Sequence, residues 1–207
     1  MFVVIAMYTT GCSSLSTMQT ARVVDKDDIL TTIGFSSVKT EYPIGTIDTI
    51  KLNTPFAEIS GRYGLGNNFD IGAKLTIIGT ATIDGKYQFL GDNISKVAGS
   101  CGLGFSYFSF ESGNNKSRIT DIMIPTYFSY HPAKWFSIYS SPKYILKINS
   151  YTSDKTNGCS ISHWYGGTVG IKLGNRTGFL IEYSFFGQSN YKRPVTQLTA
   201  GFCFVRN

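Results

Sequence analysis

Few residues of this chain could do chemistry: two histidines, His131 and His163, and four cysteines, Cys12, Cys101, Cys159 and Cys203. The cysteines form no CxxC pair and stand at no ligand-like spacing from either histidine, so neither a metal site nor a cofactor is expected. His131 opens HPAK (131–134) and reads as a turn residue. His163, in SISHWYGG, has Ser160 and Ser162 beside it, the makings of a nucleophile and its base. On a regular strand, however, Ser162 and His163 point to opposite faces, and no acid lies near in sequence to orient the imidazole. No enzymatic activity is expected. Cys101 falls on an apolar strand face and Cys203 on a polar one; with Cys159 they read as inert single thiols.

Cys12 is different because of what surrounds it. The apolar run FVVIAMY (2–8) is far too short for a transmembrane helix but has the length of a signal-peptide core, although no charged residues precede it. The run ends in TTGCSS, small residues leading to a cysteine and then a polar stretch. This order resembles the bacterial lipobox, with Gly11 and Cys12 in place and Thr9 where an aliphatic residue is usual. The resemblance implies cleavage before Cys12 and acylation of its thiol, the group that labelled palmitate would report. Residues 1–11 then form a signal peptide and residues 12–27 a linker after the lipidated cysteine. The competing reading is a small, partly buried cysteine in a first strand.

The elements that must position everything else are strands. At 207 residues the chain suits one domain, and its wealth of Gly, Tyr, Phe, Ser, Thr and Ile with only 15% charged residues favours an all-β fold. Its net charge of +6 is scattered over single lysines and arginines, which argues against a nucleic-acid partner. From Asp25 onward no helical periodicity and no long apolar run occur. Stretches of alternating polarity recur instead between Gly, Asn, Asp, Ser and Pro clusters, predicting about ten strands (8–12) near 28–38, 55–64, 69–79, 81–90, 97–110, 118–130, 135–148, 160–173, 178–187 and 195–205. In FDIGAKLTI, Phe69, Ile71, Ala73, Leu75 and Ile77 oppose Asp70, Gly72, Lys74 and Thr76; in TGFLIEYSF, Phe179, Ile181, Tyr183 and Phe185 oppose Glu182 and Ser184.

Alternation alone fits a soluble sandwich as well as a transmembrane barrel. Three further features favour the barrel. The polar faces carry both signs of charge at strand centres, Glu58, Arg62, Lys74, Asp84, Lys86, Asp121, Lys143, Lys172 and Glu182, a set that a narrow lumen could hold as a paired polar network. Tight turns at 64–68, 131–134 and 174–177 alternate with longer polar connections at 40–53, 111–117, 149–159 and 187–194, the asymmetry of outer-membrane barrels. Tyr63, Phe69, Tyr130, Trp135 and Phe179 flank the tight turns, where an interfacial aromatic girdle would sit. Pro125 and Pro142 fall within strands and predict bulges.

Taken together, STMQTARVV after the cysteine, RYGLGNNFDIGAKL with KYQFLGD, TYFSYHPAKWFSIYSSPKYI and IKLGNRTGFLIEYSFF resemble small bacterial outer-membrane β-barrel proteins of the porin-like or OmpA-like kind. The resemblance implies a closed antiparallel meander over residues 28–207, embedded in the outer membrane and lipid-anchored there. It implies membrane lipid and the barrel-assembly machinery as partners; nothing in the sequence names a specific protein partner. A family member's last strand is rich in aromatics, as GFCFVRN is, although this chain ends in Val205, Arg206 and Asn207. The expected role is that of a non-enzymatic structural or interaction component, or a narrow channel. The alternatives are a soluble or periplasmic barrel binding a small apolar ligand, which would turn Phe69, Ile71 and Leu75 inward, and a lipid-modifying outer-membrane enzyme.

Overall fold

Ten strands follow one another as a meander and close on themselves in a computed structural model. It describes residues 14–206 apart from 45–47, 93, 114, 154–155 and 190. The strands are β1 (Ile29–Ile44), β2 (Asp48–Gly66), β3 (Phe69–Thr76), β4 (Ala81–Leu90), β5 (Val97–Ser112), β6 (Asn115–Ala133), β7 (Phe136–Ser153), β8 (Thr156–Gly174), β9 (Thr177–Gln188) and β10 (Tyr191–Arg206). Every neighbouring pair is antiparallel, and β1 closes the barrel on β10 from Ile29↔Arg206 to Lys39↔Thr196. No edge is left open, as the chemistry of a backbone in hydrocarbon requires.

The alternation read from the sequence sets the faces. Along β9, Phe179, Ile181, Tyr183 and Phe185 are exposed on the outer wall while Leu180, Glu182, Ser184 and Phe186 are buried inside. Register stacks outward residues across strands, with Ile181 opposite both Ile171 and Ala200, and Tyr183 opposite both Val169 and Leu198. Such cross-strand apolar pairs are the unit of sheet stabilisation. The girdle residues Tyr63, Phe69, Tyr130, Trp135 and Phe179 all face out, near the rim where β1 begins and β10 ends. At that rim the β2–β3 turn puts Asn67 and Asn68 at φ 53° and 61°. Asparagine tolerates this left-handed pair, which matches the twist of a two-residue hairpin.

Two sequence expectations are corrected here. The polar connections at 40–53, 111–117, 149–159 and 187–194 are not long loops: strands continue into all four, as in Ser150↔Cys159 and Tyr151↔Gly158. Away from the apolar belt both faces meet water, so alternation ceases to be required while the hairpin register carries on. The prolines do not produce bulges. Pairing with β5 lapses between Thr126 and Met123, and pairing of β6 with β7 lapses around Pro142, yet the register is the same on both sides of each gap. A missing N–H removes a rung without displacing the ladder.

Candidate functional site

The lumen is occupied by the chain itself. Residues 14–24, SLSTMQTARVV, run through the barrel before β1 begins, and Ser14, Leu15, Ser16, Met18, Gln19, Ala21, Val23 and Val24 are all buried. The sequence presents this stretch as part of the linker 12–27; its described portion lies inside. Cys12 and residues 1–11, where the sequence predicts a signal peptide, lie outside the described residues.

A segment without regular secondary structure, left-handed at Met18 (φ 52°), brings main-chain donors and acceptors that must be met wherever water is excluded. Carboxylates and side-chain amides of the wall meet the donors. Glu182 accepts from Thr17 N at 2.9 Å and Met18 N at 2.5 Å, and Asp70 from Val24 N at 3.0 Å. Gln197 Oε1 accepts from Leu15 N at 2.8 Å and Gln88 Oε1 from Val23 N at 2.9 Å, with Ser129 Oγ taking Ala21 N at 3.2 Å. Lysines meet the carbonyls: Lys74 donates to Ser16 O at 2.9 Å, Lys86 to Arg22 O at 2.8 Å and Thr20 O at 3.2 Å, and Lys143 to Leu15 O at 3.2 Å. Ser100 donates to the carbonyl of Ala21.

Glu58 binds side chains instead. Ser14 Oγ donates to it at 2.5 Å, Ser16 Oγ at 2.9 Å and Ser36 Oγ at 2.6 Å, and Lys74 lies 3.5 Å away. Charge-assisted bonds of this kind are the stronger class of hydrogen bond. Nearer the rim Arg62 joins Asp70 at 2.5 Å and Asp84 at 2.6 Å, while Lys86 stands 3.5 Å from Asp70.

Apolar contacts hold both ends of the segment. Leu15 packs into a cluster of Met123, Ile145, Trp164, Phe186 and Val195, and Ala21 into one of Ala98 and Tyr127. Between them Met18 lies over Gly34, where a Cβ would come within 2.5 Å of its Sδ. At the exit, Gly64 lets the backbone of Val24 and Asp25 pass: a Cβ there would lie 2.0 Å from Asp25 O. Arg22 reaches Ser95 O, 2.6 Å away in the β4–β5 turn. In that turn Asp92 caps Ile94 N and Ser95, whose bonds hold the Asp92 carboxyl below its ordinary range. Beside the segment lie a cavity of about 50 Å³ bordered by Ser14, Arg62, Lys74 and Lys143 and, toward the tight-turn rim, one of about 160 Å³ bordered by Arg22, Val24, His131 and Lys172.

Of the nine charged residues singled out in the sequence, Glu58, Arg62, Lys74, Asp84, Lys86, Lys143 and Glu182 converge on the segment or its ion pairs. Asp121 faces in but pairs with Lys147, 3.6 Å away. Lys172 is apart, bonded to Asn175 O in the β8–β9 turn. Asp70, Gln88 and Gln197 were not among the nine, though all three lie on the inward faces; neutral amides and an acid beside a turn give no charge pattern at strand centres. His131 is not a turn residue: β6 runs to Ala133, and the imidazole sits in the lumen between Ser129 Oγ at 2.8 Å and Ser137 Oγ at 2.6 Å. His163 faces outward and meets the Tyr144 hydroxyl at 2.7 Å, while Ser162 bonds Trp164 Nε1 on the opposite side of β8. Cys101 and Cys159 are exposed and Cys203 is buried, all as free thiols.

No protein-family model matches the chain, and no curated protein matches it. Solved structures do. The chain is similar to an outer membrane channel from Pseudomonas putida F1, at 8% identity and a TM-score of 0.54 over 93% of this chain and 100% of that one. It is also similar to the outer membrane protease OmpT from Escherichia coli, at 13% identity and a TM-score of 0.51 over 93% and 100%. At such identities the likeness is one of fold, that of the outer-membrane β-barrels.

Proposed function

We propose that this chain is a bacterial outer-membrane β-barrel that serves as a non-enzymatic structural or interaction component, with its lumen stoppered by residues 14–24. The observation that carries the reading is the polarity of the wall, apolar outside and charged inside. Phe69, Ile71 and Leu75, which a ligand-binding barrel would turn inward, are 37%, 45% and 56% exposed on the outside. A wall of this kind suits hydrocarbon. Against an enzyme stands the separation of His163 from Ser162 by the thickness of the sheet. Against an open channel stands the segment in the lumen. Acylation of Cys12 belongs to the same reading, supported by TTGCSS and by the need of an outer-membrane protein for export.

Membrane embedding is tested by gel mobility that changes on heating and by resistance to alkaline carbonate; full release by carbonate refutes it. In planar bilayers the intact protein is expected to leave the lipid baseline unchanged, and a steady conductance would refute the stoppered lumen. Labelled palmitate is expected in the wild type and not in Cys12→Ala, and equal labelling of both removes the lipid from the reading.

A further inference from the structure

The contacts of residues 14–24 fall mostly on the main chain. Six amides and five carbonyls of the segment are bonded by wall side chains, donors by carboxylate, amide or hydroxyl oxygens and acceptors by ammonium or hydroxyl groups. These groups are common to every polypeptide, so most of the recognition is indifferent to sequence. We propose that the lumen is a binding site for a non-helical polypeptide segment turned at the Met18 position (φ 52°), filled in cis by residues 14–24 and able to take a peptide of the same pattern in trans.

That pattern follows from the side chains that are held, among them the Ser14 and Ser16 hydroxyls on Glu58 and the Gln19 amide between Lys86 and Tyr127. The position of Ala21 must be small, since it is fully buried against Ala98 and Tyr127. The position of Leu15 must be large and apolar to fill the cluster beside Trp164. At Met18 a long flexible side chain fits the hollow over Gly34. Thr17, whose buried hydroxyl has no hydrogen-bond partner, marks a position where the hydroxyl is dispensable. The inference goes beyond the proposed function and can be tested in detergent micelles, so it stands or falls apart from the membrane reading.

The test uses the full chain folded in detergent, checked for heat-modifiable mobility and then cut at a protease site inserted between Lys26 and Asp27, and the fluorescently labelled peptide SLSTMQTARVV, which exchanges with the cut segment. Saturable binding, read by anisotropy, is expected at one site per barrel. A peptide carrying Ala21→Leu, and one N-methylated at the Met18 and Val24 amides, are each expected to bind at least about tenfold more weakly, since each removes close packing or charge-assisted bonds. A Thr17→Val peptide is expected to bind as the parent does. Absence of binding to a folded barrel, or equal binding of all four peptides, overturns the proposal. The cut barrel without added peptide gives a second reading. The released segment should then co-elute with the barrel in gel filtration; its immediate departure overturns the proposal.

Discussion

The Leu15 side chain holds the lumen segment by apolar packing while its main chain bonds Gln197 and Lys143, so Leu15→Ala isolates the packing contribution. The side chain is 7% exposed and belongs to the buried cluster of Met123, Ile145, Trp164, Phe186 and Val195. Truncating a leucine in such surroundings costs about 2–5 kcal/mol, the upper part applying where the walls cannot collapse into the space. Here the walls are strands of a closed barrel, and the β7–β8 and β8–β9 ladders are unbroken at Ile145, Trp164 and Phe186, which favours the upper part, while the register shift beside Val195 leaves that side freer to move in. No ladder bond passes through Leu15, so the loss falls on the equilibrium between seated and withdrawn segment. Opening should become more frequent by about 30-fold at the lower figure and by a few thousandfold at the upper one. Hydrogen exchange read by mass spectrometry gives this directly, because the amides of Thr17, Met18 and Val24 are protected by Glu182 and Asp70. Peptides from β6 and β8 serve as the reference. The fluorescence of buried Trp164 should shift as its neighbour goes, against the exposed Trp135. Exchange of the segment at the wild-type rate refutes the argument, and so does equal acceleration of the strands, which would make segment and wall one cooperative unit.

Arg62→Met leaves Asp70 and Asp84 without their guanidinium and should cost about 3–5 kcal/mol, seen as a lower urea midpoint of the heat-modifiable form; an unchanged midpoint would mean that the pair is compensated elsewhere. Gly64→Ala pushes a Cβ into the backbone of Val24 and Asp25 and should destabilise the full chain by about 1–3 kcal/mol. In a chain beginning at Lys26 the same change should cost nothing, and an equal cost in both would place the clash elsewhere. Ile181→Arg, on the outer wall midway along β9, should cost about 2–4 kcal/mol in bilayers, whereas on a water-facing wall it would fall within about 0.5 kcal/mol.

Strand number, order and facing were legible because each strand must present one apolar face over the width of the belt. The strand near 81–90 coincides with β4 (Ala81–Leu90), and its neighbours agree at the rim of tight turns. Strand length at the far rim was not legible: β2 starts at Asp48 and β8 at Thr156, in stretches where neither face has to be apolar. The inward charges were legible one by one, but not their purpose. An even mixture of signs suggested ion pairs filling the interior, and Arg62 with Asp70 and Asp84 does so in part. Glu182 instead receives two amides of the segment and the Tyr139 hydroxyl, while Lys143 caps Leu15 O. Nothing in SLSTMQTARVV announces this, since its partners bind its main chain and its side chains follow no period.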